Sequence, residues 1–471
     1  MRRAAAGLAL LVLSGCVAQR PVPTSTIDVD AQWQIATDQS EPALEQWWQQ
    51  FADPQLNKLV QQALQHNREL RGAQWRVVEA QAGTAAARGA RLPALALDTR
   101  YTRFEQSIES PQAAGPLIAA GIVPRDGEFY TTSLLANWEL DIFGGLRARQ
   151  TAAAARERAA IAAADGTALQ VIAETVSAYN DVASFAQRAR IAQRNVDLQQ
   201  KTLDIVRGKV GLGLARKLDE VRAVADLERL AADVPRLEAQ RHAALQRLIV
   251  LTGDRALLDT LSQPDTVLAA PADVAVGLPA DVLRRRPDVR VAEQELESAT
   301  ALTQDAVAAF FPSLQLTASG GFEAGTVDAL NTGAARAVGI VPFVRWPLFQ
   351  GGRLRAQLSA ARAREQQAFA AYEQSILGAL ADTESALAAF RGAQQSVARI
   401  ALARDAARES ETLARKLYGE GLSDFLTLLD AQRQLARIDD ALIATQAELV
   451  LSTARLYKSL GGGWSGTSND E

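Results

Sequence analysis

Cys16 is the only cysteine in the 471 residues, Met1 the only methionine, and His66 and His242 the only histidines. Metal chemistry needs several such donors at ligand spacing. The two histidines stand in unrelated contexts and read as exposed helix residues. No glycine-rich phosphate loop of the GxxxxGK kind occurs, and no carboxylates converge on a base or nucleophile. The expectation is a protein without catalysis or cofactor. One charged constellation does have a geometry. In GLSDFLTLLDAQRQL, which begins at Gly421, the residues Leu426, Asp430 and Arg433 fall at i, i+4 and i+7, a single helical stripe. Leu428, Ala431, Leu435 and Ile438 form a separate apolar stripe suited to packing. Alone, Asp430 and Arg433 make a surface i,i+3 ion pair worth about a few tenths of a kcal/mol. Repeated by symmetry around a narrow passage, the stripe makes a hydrophobic ring, a carboxylate ring and a ring of restraining hydrogen bonds.

What would position such a stripe is an internal duplication. NWELDIFGGLRA (137–148) recurs as RWPLFQGGRLRA (345–356), so that Trp138 and Trp346 stand 208 residues apart. The offset persists downstream: Gly211 and Gly213 recur as Gly419 and Gly421, Leu227 as Leu435, and Gly253 as Gly461. Upstream it becomes 219, aligning NRELRGA from Asn67 with RPDVRVA from Arg286, and Pro93 with Pro312. The second copy is therefore 11 residues shorter between Pro312 and Trp346 than the first between Pro93 and Trp138, an indel suited to a surface loop. This divides the chain into residues 1–15, 16–66, a first repeat at 67–253, a connecting segment at 254–285, a second repeat at 286–461, and a tail at 462–471.

Each repeat reads as helix, Pro, a loop-containing segment, Trp, Gly-Gly and two long helices. Gly144, Gly145, Gly351 and Gly352 mark the junctions. No proline occurs from 125 to 234 or from 348 to the end, and residues 146–207 and 354–418 are rich in strong helix formers. At about 1.5 Å per residue each would be roughly 90–100 Å long. The turns at Gly211–Gly213 and Gly419–Gly421 end these helices, and the returning helices cover about 215–252 and 422–460. Pro235 should kink or break the first of them. Between helices, segments 94–104, 129–138, 313–322 and 338–346 alternate apolar and polar residues and read as strands. Length, alternation and the terminal Trp138 and Trp346 suit a transmembrane β-barrel; a soluble antiparallel sheet shares the local pattern. Four strands cannot close a barrel, and open edges cannot face lipid. Two, three or four chains would have to share one.

A net charge of −4 gives no sign of a nucleic-acid partner, and no run of 18 apolar residues suggests a membrane-spanning helix. The N-terminus reads as a signal peptide: Arg2 and Arg3, then apolar Ala4 to Leu13. Leu13-Ser14-Gly15-Cys16 resembles a bacterial lipobox, in which the cysteine is acylated and becomes the first mature residue. Val17 after it implies delivery to the outer membrane. With Cys16 spent on lipid, no disulfide can form within one mature chain.

NWELDIFGG, WPLFQGG, RRRPDVRVAEQEL and GLSDFLTLLDAQRQL together resemble the signatures of TolC-like outer membrane efflux proteins, in the lipidated OprM/NodT branch. The resemblance runs from about Ala43 to Gly462. It implies an α+β membrane protein: a homotrimer with a shared twelve-stranded β-barrel, four strands per chain, above a long α-helical periplasmic barrel. The implied role is the exit duct of a tripartite efflux system, exporting small molecules or drugs and opened by a periplasmic adaptor and an inner-membrane pump of the RND type. Leu426, Asp430 and Arg433 match the family's periplasmic constriction. Tyr418 and Asp219 match positions that tie neighbouring helices together, and Gly211, Gly213, Gly419 and Gly421 mark the adaptor-docking tips. The rivals are an outlet for type I protein secretion and a non-conducting coiled-coil lipoprotein.

Overall fold

The computed structural model describes residues 21–35, 40, 44–108, 115–261 and 267–462. The lipobox and Cys16 lie outside the described residues. The elements used below are α1 (Pro54–His66), α2 (Arg68–Gly89), β1 (Ala94–Glu105), β2 (Asp126–Leu140), α3 (Gly145–Gly211), α4 (Lys217–Thr252), α5 (Pro279–Arg285), α6 (Pro287–Ala308), β3 (Ser313–Ala324), β4 (Arg336–Arg345), α7 (Arg353–Gly419) and α8 (Phe425–Ser459). The duplication is visible in their lengths. Both α3 and α7 have 67 residues, α2 and α6 have 22, and β1 and β3 have 12.

Two units divide the described chain. One takes residues 1–24, 78–158 and 293–370 and contains the strands. Its sheet is antiparallel in the order β1-β2-β3-β4. Register puts Leu97 opposite Leu134, Leu134 opposite Gly320, and Gly320 opposite Val338. Because side chains alternate, one face collects Leu95, Leu97, Tyr101, Leu134, Ala136, Trp138, Leu314, Leu316, Val338, Ile340 and Val344. The other carries Asp98, Arg100, Ser133, Asn137, Glu139, Gln315, Thr317 and Arg345. Among the described residues nothing covers the apolar face: Leu95, Leu97, Val338 and Ile340 are 66–72% exposed. β4 ends at Arg345, one residue short of the expected Trp346. The next rung would pair Trp346 with Pro312, and neither Pro312 nor Pro347 has an N–H to offer.

The indoles have a different task. Trp138 donates its N–H to the carbonyl of Arg91 at 2.9 Å, and Trp346 donates to that of Phe310 at 3.2 Å. Arg91 and Phe310 are repeat equivalents at offset 219. Each tryptophan thus closes the end of its strand pair onto the segment that follows the preceding helix. In the same unit, Ala148, Ala152 and Ala155 are buried at i, i+4 and i+7 along α3. Small side chains let helices approach closely, which is why so few aromatics are needed.

The second unit takes residues 25–77, 159–292 and 371–471. Its largest core gathers Trp47, Phe51, Leu56, Tyr179, Leu248, Leu456 and Tyr457. Trp47 stacks on Tyr457 with centroids 5.0 Å apart. The Tyr179 hydroxyl donates to Asp53 at 2.9 Å, and Asp53 also caps α1 by accepting from the amides of Gln55 and Leu56. The repeat shows here too. Asn67 donates to the carbonyl of Leu251 at 3.1 Å, and Arg286, its equivalent, donates to that of Ser459 at 3.0 Å. Each copy thereby satisfies an orphan carbonyl where its returning helix ends. Pro235 does not break α4, which continues from Lys217 to Thr252. The proline is exposed, so water can satisfy the carbonyl left unbonded one turn earlier. Among the described residues no helix is long and apolar enough to cross a membrane.

Candidate functional site at the helix turns

The turns joining α3 to α4 and α7 to α8 are superimposable in sequence and in bonding. Gly213 has φ 71° and Gly421 φ 77°. The N–H of Gly213 bonds the carbonyl of Val210, and that of Leu214 the carbonyl of Lys209. Gly421 and Leu422 repeat the pattern onto Tyr418 and Leu417. This is the Schellman termination, with a left-handed residue at its pivot. Gly211 and Gly419 are the last residues of their helices and need no such freedom. Leu212, Leu214 and Leu422 project from the turns at 72–76% exposure.

Behind the turns lies a small core of Leu203, Val206, Ala223, Ala414, Tyr418, Phe425, Leu428 and Leu429. Lys209 lies over the Tyr418 ring at 3.9 Å and donates to its carbonyl at 3.1 Å. Burial first, and then the Asp219 carboxylate, push the Tyr418 phenol above its ordinary value. No direct bond joins the two: the Tyr418 hydroxyl is buried without a hydrogen-bond partner, while Asp219 accepts from the backbone N–H of Arg216 at the start of α4. Within one protomer, Tyr418 and Asp219 are coupled by charge alone.

Leu426 and Asp430 are exposed. Arg433 does not turn to Asp430. Its Nε donates to Asp226 at 2.8 Å, across from α8 to α4. Asp226 is 2% exposed and also accepts from Arg229 at 3.2 Å. A buried carboxylate held by two guanidinium groups satisfies the rule that buried charge be paired. Asp430 has no ion-pair partner among the described residues. Asp226 was not singled out from sequence. Its signal was available: Asp219, Asp226 and Asp233 stand seven residues apart on α4.

At the strand-to-helix junctions, Gly144 with φ 77° is equivalent to Gly352 with φ 85°. The two Gly-Gly pairs are therefore staggered by one residue. Gly145 begins α3, whereas Gly351 has a positive φ of 58° before α7. Asp141 caps α3, accepting from the amides of Leu146 and Arg147 at 3.0 and 2.6 Å. Among the described residues no group of histidine, cysteine and carboxylate side chains is placed to hold a metal ion.

Comparison with known proteins agrees with this architecture over almost the full chain. A family profile described as outer membrane efflux protein matches residues 59–254 and 278–462. The toluene efflux pump outer membrane protein TtgF of Pseudomonas putida is 32% identical, over 95% of this chain and 88% of its own length. Nodulation protein T of Rhizobium leguminosarum bv. trifolii is 28% identical, over 96% and 94%. Among solved structures, the outer-membrane channel OprN superposes with a TM-score of 0.86 at 32% identity, covering 94% of this chain and 99% of that one. The open MtrE channel of Neisseria gonorrhoeae gives 0.82 at 28% identity, covering 95% and 98%. The chain belongs to the outer membrane efflux protein family, and its fold is that of the TolC-like outer membrane channels, in which each chain contributes a four-stranded sheet to a shared barrel.

Proposed function

We propose that the protein is the passive exit duct of a tripartite efflux system, working as a homotrimer with a periplasmic adaptor and an inner-membrane pump of the RND type. Small molecules or drugs pass through it from the periplasm to the exterior. The observation that carries the reading is the four-stranded sheet with an uncovered apolar face and two unpaired edges, joined to four long helices. Such a sheet is unfavourable alone and satisfied only in a closed barrel. The relatives named for toluene efflux and pyoverdine export support small-molecule cargo. Acylation at Cys16 is part of the proposal; fatty-acid labelling that persists in Cys16→Ser would remove it.

In this reading Leu426 and Asp430 line the periplasmic constriction. Arg433 restrains it by binding α8 to Asp226 of α4, so that dilating the iris stretches this bond. The exposed Leu212, Leu214 and Leu422 on the glycine turns are the surface offered to the adaptor. Exposed ion pairs are worth about 0.2–1 kcal/mol each, and removing one partner of a buried carboxylate costs more because it leaves an uncompensated charge. Threefold repetition makes a few kcal/mol, enough to bias a two-state opening. Single-channel conductance of the isolated trimer in planar bilayers tests this. Arg433→Ala and Asp226→Asn should both raise open probability, and Asp430→Ala/Arg433→Ala should also lose cation preference. Wild-type behaviour in all three would move the gate elsewhere, and absence of any conductance would refute the duct itself.

A further inference from the structure

Arg91, Arg147 and Arg158, with Gln150, Thr151 and Ala154, line a pocket of about 320 Å³. Arg147, Thr151, Ala154 and Arg158 fall at i, i+4, i+7 and i+11 along α3 and share one stripe. Arg149 and Arg156 lie about 200° further round the helix. They line a larger cavity together with Glu139 and Arg345, which belong to the polar face of the sheet. The three-arginine pocket therefore opens on the opposite side, the side of the apolar strand face. Trp138 sets its depth. It lies on that face near the end of β2, with only Leu140 beyond it, and its indole N–H donates to the backbone carbonyl of Arg91. Interfacial tryptophans sit at headgroup level, so the Arg91 guanidinium stands where phospholipid phosphates lie. Pro21 and Val22 line a groove on the same side, beside Arg147 and Thr151.

The charges in the pocket are not balanced. Arg158 is paired with Glu297 at 2.7 Å and donates to Gln294 at 2.6 Å. Arg91 donates from Nη1 to Gln150 at 2.6 Å, but its Nε is buried without a partner. Arg147 is exposed and has no ion-pair partner among the described residues. We propose that this pocket binds the phosphate of an anionic phospholipid from the periplasmic leaflet of the outer membrane. Arg91 and Arg147 would donate to the phosphate oxygens, and the arginine stems and Ala154 would pack against the glycerol. The second repeat lacks the site. Arg91 is replaced there by Phe310, Gln150 by Leu358 and Arg158 by Gln366, and only Arg147 persists, as Arg355. One site per chain makes three per trimer.

Native mass spectrometry of the delipidated, detergent-purified trimer tests this, with phosphatidylglycerol, phosphatidylethanolamine and inorganic phosphate as the three probes. The wild type should retain up to three phosphatidylglycerol molecules in preference to phosphatidylethanolamine. Arg91→Gln/Arg147→Gln should weaken retention by about tenfold or more, since each arginine near an anionic surface contributes substantially. Arg147→Gln alone, an exposed change, should weaken it severalfold with the trimer intact. Arg355→Gln/Arg362→Gln, which removes equal charge from the equivalent side of the second repeat, should leave it unchanged. Cys16→Ser should retain phosphatidylglycerol like the wild type, so a failure of the acylation assignment is separable. Equal retention by wild type and Arg91→Gln/Arg147→Gln overturns the proposal. So does displacement of the lipid by excess inorganic phosphate, which would make the pocket a free-anion site.

Discussion

Asp165, on α3, is a carboxylate whose surroundings disfavour its charge. Burial raises it from 3.8 to about 6, and Arg290, whose guanidinium is 3.4 Å away, only partly offsets this. Between about pH 4 and about pH 6 the folded chain therefore holds a proton that the unfolded chain has released. The sign follows from linkage: the penalty is present above the folded value and fades as pH falls through about 6 towards the unfolded value near 4. Asp165→Asn should stabilise the protein at about pH 8, by about 1 kcal/mol after allowance for solvent screening, and should be neutral near about pH 4. Thermal unfolding of both proteins across this range measures it; a constant difference at all pH values would assign the effect to packing. Arg433 shows how a single side chain is misread at this scale. Its sequence neighbour Asp430 is one turn away, but its bond is to Asp226, 207 residues earlier and 2% exposed.

Among the elements, the helix turns separate glycines that matter for conformation from glycines that do not. Gly213 and Gly421 have φ near +71° and +77°, and Gly211 and Gly419 have helical backbones with open space where a Cβ would go. Alanine at the first pair should cost about 1–2 kcal/mol each, because a left-handed backbone crowds the Cβ against the carbonyl. Alanine at the second pair should be neutral or stabilising by about 0.5–1 kcal/mol through helix propensity. Denaturant unfolding of the four single variants, with hydrogen exchange of the turn amides, distinguishes the pairs; equal effects would show that the turns impose no backbone constraint. Pro235 belongs at this scale too. A missing N–H interrupts a helix only when the freed carbonyl cannot be satisfied, and the exposed side of α4 leaves it open to water.

For the whole molecule, the decisive fact is that one chain leaves the sheet unfinished. Among the described residues β1 and β4 each have one neighbour, and the apolar strand face is bare. No backbone edge can remain unpaired in hydrocarbon, so a monomer should not persist in a membrane. Mass analysis of the detergent-solubilised protein should give three times the chain mass. A monomer that is stable and conducts would refute barrel sharing. Along the longest helices close approach is achieved by buried alanines, and Tyr179 and Phe390 from these helices join the core around Trp47 and Tyr457.

Several features followed from local chemistry and could be read without coordinates. Strand alternation, glycine turns and proline-free helix formers act over a few residues, so β1 and β3, the two long helices expected at 146–207 and 354–418, and the Gly-Gly junctions were legible, while the one-residue stagger of the junctions was not. The duplication was legible because its offset is arithmetic. What only the tertiary structure decided are bonds between elements far apart in sequence. The carbonyls that receive Trp138 and Trp346, the caps provided by Asn67 and Arg286, and the choice of Asp226 over Asp430 by Arg433 depend on which helix faces which. A side chain's type and spacing determine which stripe of its own helix it occupies. Only the packing of that stripe against another element determines which partner it can reach, and burial then selects the one whose charge must be satisfied.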